Sequence, residues 1–228
     1  MNSQNESVQN ENVTCTWRSD SDCDNCQLTG LLHCKWQQKH LMYFLRLAMY
    51  IMIPSLIGFV LAGLLLNNWL YLIIYIAFWI FFFGAFEIRV LCSHCPYYQE
   101  EKHGLILHCL ANHGTVKLWK YHPEPMKTWE KISFIAGVLF FVLFPVLPEL
   151  DLIIHESDQF MVMMLIILTA ITIFNGIYFY YRLRSNICPY CVNFSCPFNT
   201  VGKNIVDSYL QQNPVLKEAW EQSGYKLG

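Results

Sequence analysis

Four stretches of the chain, 47–66, 69–86, 132–148 and 160–181, are apolar at nearly every position and carry no charged residue. Their apolar residues neither alternate as in a barrel strand nor keep to one face of a helix, so the pattern predicts helices that meet an apolar environment on all sides. Each run approaches the roughly 20 residues that a helix rising about 1.5 Å per residue needs to cross a hydrocarbon core. The first begins behind a long polar segment and exceeds a signal-peptide core in length, so it reads as a span and not a cleaved leader. The pattern therefore predicts an all-α, polytopic membrane protein: a four-transmembrane-helix bundle built as two imperfect helical-hairpin repeats, with a cytoplasmic cysteine-rich region.

The polar segments divide the chain further. Residues 1–14, rich in Asn, Gln, Ser and Glu, read as a disordered tail. Residues 15–40 form a cysteine-rich segment, 41–86 the first transmembrane hairpin and 87–131 a Cys/His-rich loop. Residues 132–181 form the second hairpin, and 182–228 a cysteine-rich segment with a helical tail. The two short connections are a turn at Asn67 and Asn68 and a polar segment over 149–159, which carries Glu149, Asp151, Glu156 and Asp158. Pro54, Pro145 and Pro148 are expected to kink or end helices.

Composition agrees: 54% of residues are hydrophobic and 14% charged, against about 25% charged in a soluble domain. Four crossings place both termini and the central loop on one side. All 15 Lys and Arg residues fall there, with none between Arg46 and Arg89 or between Lys131 and Arg182. The positive-inside rule makes that side the cytoplasm of a cell (inner) membrane, with both termini cytoplasmic.

All ten cysteines lie on the same side. In a reducing compartment such a set argues for metal ligands or catalytic thiols instead of disulfides. The sequons at Asn5, Asn12 and Asn193 share that side and read as chance matches. Each half of the chain follows two apolar helices with arginine, a C-x-x-C and a third cysteine. The first half reads Arg89, Cys92-Ser-His-Cys95 and Cys109-Leu-Ala-Asn112; the second reads Arg182 and Arg184, Cys188-Pro-Tyr-Cys191 and Cys196-Pro-Phe-Asn199. If the second and fourth helices are neighbours, the two C-x-x-C pairs face each other and form a tetrahedral thiolate cage suited to zinc or iron. Cys109 and Cys196 are extra ligands or a second thiol pair. Among His94, His103, His108 and His113, at most one or two are expected to be ligands. Cys15, Cys23, Cys26 and Cys34, spaced C-x7-C-x2-C-x7-C, are expected to order around a separate zinc ion, the alternative being that some of them join the main cluster.

Zinc is the favoured cofactor, in a structural or accessory role with a protein partner on the cytoplasmic face. The alternative is a redox protein using an iron–sulfur cluster or a cysteine pair, and the third reading an enzyme acting on a lipid-phase substrate. The ferredoxin run C-x2-C-x2-C-x3-C-P is absent, although Cys196-Pro197 and Cys95-Pro96 share its ending. Cys188-Pro-Tyr-Cys191 resembles the active-site tetrapeptide of glutaredoxins over those four residues, without the strand-to-helix context. The helices hold no His pair for a bis-His haem, and no charged residue is expected at mid-membrane. Thr169, Thr172 and Asn175 are explained by helix–helix hydrogen bonds. Phe81, Phe82, Phe83 and Phe86 are read as lipid or packing contacts, with an apolar ligand such as a quinone as the lesser reading. Tyr97, Tyr98, Trp119, Tyr121 and Trp129 with Lys117, Lys120 and Lys127 are read as a belt at the headgroups of the lipid bilayer. A net charge of −2 argues against a nucleic-acid partner. The tail is expected to form short helices around Ile205, Tyr209 and Leu210 and from Pro214 to Trp220, docked on the cysteine-rich side.

Overall fold

The computed structural model describes residues 26–34, 37–99, 105–107, 109 and 111–228. Four helical stretches are long and apolar enough to cross a bilayer: Gln38–Leu65, Leu70–His94, Thr128–His155 and Gln159–Tyr190. No strand is present among the described residues, only isolated bridges such as Ile106 with Val116.

The first span is the single helix α1 (Gln38–Leu65), which carries Pro54 in its interior. It ends at the expected turn. Asn67 has a φ of 52°, a left-handed conformation that asparagine tolerates better than most residues. The Asn68 side chain accepts a hydrogen bond from Leu70 N at 3.2 Å, which starts α2 (Leu70–Phe81). The second span then widens into a π-helical turn, Phe82–Phe86, before tightening into α3 (Glu87–Val90). The third span is α4 (Thr128–Leu143) followed by α5 (Val146–His155), and the fourth is α6 (Gln159–Asn186).

Two expectations change here. The 149–159 segment was expected as a polar connection, but the helix continues to His155. Pro145 ends α4, and Pro148 falls in the first turn of α5, where backbone N–H groups have no intrahelical acceptor to lose. Pro148 therefore begins a helix instead of closing one, and Glu149 is carried into the bundle. The second and fourth spans are also not among the extensively packed pairs. α1 packs on α5 and α6, α5 on α6, α1 on α2, and α3 on α4. The second span meets the third through rings: Phe78 stands 4.3 Å from Phe140 and Tyr75 5.5 Å from Phe141, centroid to centroid. Phe82, buried to 2% exposure, lies against Gly137, where any Cβ would collide with its ring.

The outward faces of the spans are apolar, with Leu64, Ile73, Phe174 and Ile177 among the exposed residues. A surface of this kind suits hydrocarbon. Below one end of the bundle lies a second core. Leu28 and Leu32 of the N-terminal segment, Ile88, Tyr97, Tyr98 and Leu107 pack there with two short helices, α7 (Lys203–Gln211) and α8 (Pro214–Gln222). The helices contribute Tyr209, Leu210, Leu216 and Trp220, all buried. Cys92 and Cys95 belong to this core.

Candidate functional site

Both C-x-x-C segments are built on the same backbone. Leu91, the last residue before the first, has φ −117° and ψ −57°, and Ile187, before the second, has φ −115° and ψ −51°. Each then makes a single 3₁₀ turn, Cys92–His94 and Cys188–Tyr190, and leaves it extended at Cys95 (φ −84°, ψ 136°) and Cys191 (φ −78°, ψ 129°). The turns close through Cys95 N to Cys92 O at 2.9 Å and Cys191 N to Cys188 O at 3.4 Å. Proline assists both. Pro96 favours an extended Cys95 before it, and Pro189 sits inside the second turn, where its fixed φ suits the first helical positions.

The asparagines that follow the third cysteines act on the same turns. Asn112 donates through its side-chain amide to Cys92 Sγ at 3.1 Å and through its backbone N–H to Cys109 Sγ at 3.0 Å. Asn199 donates from Nδ2 to the carbonyls of Cys191 (2.8 Å) and Asn193 (2.9 Å). Asn193 in turn donates to Leu91 O at 3.1 Å, joining the second cysteine segment to the residue that starts the first turn. Asn193 is 5% exposed, so this sequon serves packing.

Cys92, Cys95 and Cys188 are buried, and Cys109, Cys191 and Cys196 are partly buried. Burial pushes the Cys95 thiol well above the usual cysteine range, and the neighbouring sulfurs of Cys191, Cys109 and Cys196 add to the effect. Burial raises Cys191, and burial followed by the Cys191 charge raises Cys196. Cys109 is pushed up to about 12, chiefly by burial. Sulfurs from both halves therefore feel one another across the core. Such thiols stay protonated and poorly nucleophilic unless a cation compensates their charge. Among the described residues, no three His, Cys, Asp or Glu side chains stand close enough to hold a metal ion as they lie.

The N-terminal quartet is only half described, since Cys15 and Cys23 fall outside the described residues. Cys26 and Cys34 pack against the core that holds Cys92 and Cys95, and Cys26 Sγ points at Gln212 Oε1, 3.8 Å away. Cys34 adds to the charge felt by the Tyr97 hydroxyl, as do Cys95, Cys109 and Cys191. His94 is engaged elsewhere: its Nδ1 lies 2.7 Å from Glu124 O and its Nε2 3.3 Å from Glu130 Oε2. His103 and His108 fall outside the described residues, and His113 is partly buried. Two members of the expected aromatic belt are core residues instead. Tyr97 and Tyr98 are 2% and 4% exposed, and their hydroxyls donate to His33 O and Trp119 O. Trp119 does lie at the helix end, its indole N–H 3.3 Å from Ala85 O in the π-helical turn.

One residue of this region escaped the sequence pattern. Glu87, 7% exposed, follows the phenylalanine run. Its charge raises the thiols of Cys109 and Cys196, and its Oε2 has no hydrogen-bond partner among the described residues. The available signal was a carboxyl five residues ahead of Cys92. The second half has Leu183 at the corresponding place before its C-x-x-C, so the site is not symmetric. Scans against protein-family models, the curated proteins and the solved structures found no match for this chain.

Proposed function

We propose that this is a multi-pass membrane protein whose cytoplasmic face carries a thiolate zinc site joining the two halves of the chain. Cys92, Cys95, Cys188 and Cys191 are its core ligands, with Cys109 and Cys196 beside them. The observation that carries the reading is the matched backbone of the two C-x-x-C turns, linked by Asn193 to Leu91. Two copies of one turn, each carrying two cysteines at the same end of the bundle, supply the four sulfurs that a tetrahedral thiolate site needs. The Asn112 N–H groups suit the same role, because donors to sulfur stabilise thiolates. Zinc would displace the thiol protons and draw the sulfurs to bonding distance, so that binding also stabilises the fold.

The role that follows is structural or accessory. The metal would lock the second core beneath the bundle and present it to a partner on the same face. The cytoplasmic orientation rests on the one-sided distribution of all 15 Lys and Arg residues. The test is metal and sulfide analysis of the protein purified without oxygen, with C92S and C188S variants beside it. Colourless protein with stoichiometric zinc, lost in both variants, is the expected result. Brown protein with acid-labile sulfide would replace zinc by an iron–sulfur cluster in an electron-transfer protein. Metal-free protein whose thiols all react with a disulfide reagent on unfolding would remove the metal reading altogether.

A further inference from the structure

At the other end of the bundle, far from the cysteines, a carboxyl is enclosed by helices. Glu149, on α5, is 0% exposed. Its Oε1 accepts a hydrogen bond from the Thr172 hydroxyl on α6 at 2.7 Å. Its Cγ and Oε1 press on Gly58 of α1, where a Cβ would stand 2.8 Å and 2.9 Å from them. Its Oε2 has no hydrogen-bond partner among the described residues. Three helices thus meet at one acidic side chain, and glycine on α1 leaves the room it occupies.

The described groups around it offer no countercharge. The facing stretch of α1 brings Gly58 and Ser55, whose hydroxyl is bonded to Ile51 O. The facing stretch of α6 brings two hydroxyls: Thr169, bonded to Leu165 O and also within reach of the Glu149 carboxyl, and Thr172, which lies 3.1 Å from Leu168 O as well. On α2, Tyr71 donates to Asp151 and Tyr75 to Phe141 O. On α5 itself, Asp151 and His155 pair with each other at 3.2 Å, nearer the end of the helix. No Lys or Arg occurs between Arg46 and Arg89 or between Lys131 and Arg182, so neither hairpin carries one to supply. A carboxylate enclosed without a countercharge is far costlier than the neutral acid.

We propose that Glu149 is a proton-binding site inside the bundle, exchanging with the membrane face opposite the cysteines. His155, six residues on, ends α5 with its side chain 61% exposed, which puts the carboxyl about 9 Å along the helix from that face. This site stands whatever the cysteines hold. A proton there satisfies the charge of one oxygen while Thr172 holds the other, so the three-helix contact is complete only when the site is loaded.

Infrared spectroscopy of the full chain in lipid vesicles tests it at neutral pH. The wild type should show the C=O stretch of a protonated carboxylic acid, which shifts down after exchange into D2O. E149Q should remove one component of this band that E87Q leaves in place, any contribution of the buried Glu87 carboxyl being lost in E87Q alone. T172V, which deletes one hydroxyl and keeps the carboxyl, should shift the band upward, because the carbonyl oxygen loses its donor. T172V also carries the test if E149Q does not fold. The proposal is overturned by a spectrum unchanged in E149Q, by a T172V spectrum without the shift, or by a band that ignores D2O. A band that appears only when sodium is withdrawn would also overturn it, since the site would then belong to a metal cation.

Discussion

Glu130 sits where the second and third spans enter the cysteine-side core, and its two oxygens are fully used. Oε1 pairs with Arg89 at 3.2 Å; Oε2 accepts the Lys127 backbone N–H at 2.8 Å, capping α4, and lies 3.3 Å from His94 Nε2. Its side chain and that of His94 are 2% and 3% exposed, whereas that of Arg89 is 32% exposed. Glu130→Ala leaves a buried imidazole and an open helix start, and should destabilise the protein by about 3 kcal/mol. Arg89→Ala should cost less than about 1 kcal/mol, since water reaches the guanidinium and screens the pair. Unfolding midpoints of the two variants in mixed micelles decide it; equal losses would mean that the ion pair, and not the buried carboxyl, carries the effect. None of this was legible in the sequence, where Glu130 is one acidic residue among lysines. The cysteines were legible because their spacing is local, whereas Glu130, Glu87 and Glu149 acquire their partners from elements far away in the chain.

At the scale of elements, the spans themselves could be read directly, because length and apolarity are local properties of the chain. Which helices pair could not, since pairing depends on the side chains that happen to face each other. The π-helical turn Phe82–Phe86 is the clearest case. Phe82, where this turn begins, faces inward onto Gly137 while its neighbour Phe81 stays outside at 60% exposure, so a run of identical residues divides into packing and outward-facing positions. Gly137→Ala places a methyl group in the Phe82 ring and should destabilise the bundle by about 1–3 kcal/mol. Phe82→Ala should also destabilise, through the cavity it opens. The double variant should lose less than the sum of the two, because the added methyl then enters vacated space. Resistance to denaturing detergent measures all three, and simple additivity would show that the two residues do not share the contact. The α5 helix illustrates the opposite failure: a proline read as a stop is a start when it falls in the first turn, and the residues after it move from the surface to the interior.

For the whole molecule the two ends of the bundle differ in kind. One end carries the described cysteines and a folded core in which Cys92 and Cys95, with Cys26, Cys34 and Cys109 against them, meet the docked α7–α8 pair. The other carries short turns and, once Glu149 is withdrawn into the bundle, the acidic residues Asp151, Glu156 and Asp158 with no Lys or Arg among them. This asymmetry predicts a fixed orientation. Basic residues near span ends resist translocation, and acidic ones contribute little, so the cysteine end should remain in the cytoplasm. Ser157 lies exposed between α5 and α6, which makes Ser157→Cys a reporter for the opposite end. An impermeant maleimide applied to intact cells should label S157C and leave the wild type unlabelled. After permeabilisation, exposed thiols of the cysteine end should become reactive in both. Labelling of the wild type in sealed cells, with S157C adding nothing, would invert the molecule. The cysteine core would then face an oxidising compartment, where the same six sulfurs of the two halves would be expected to form disulfides and not to hold zinc.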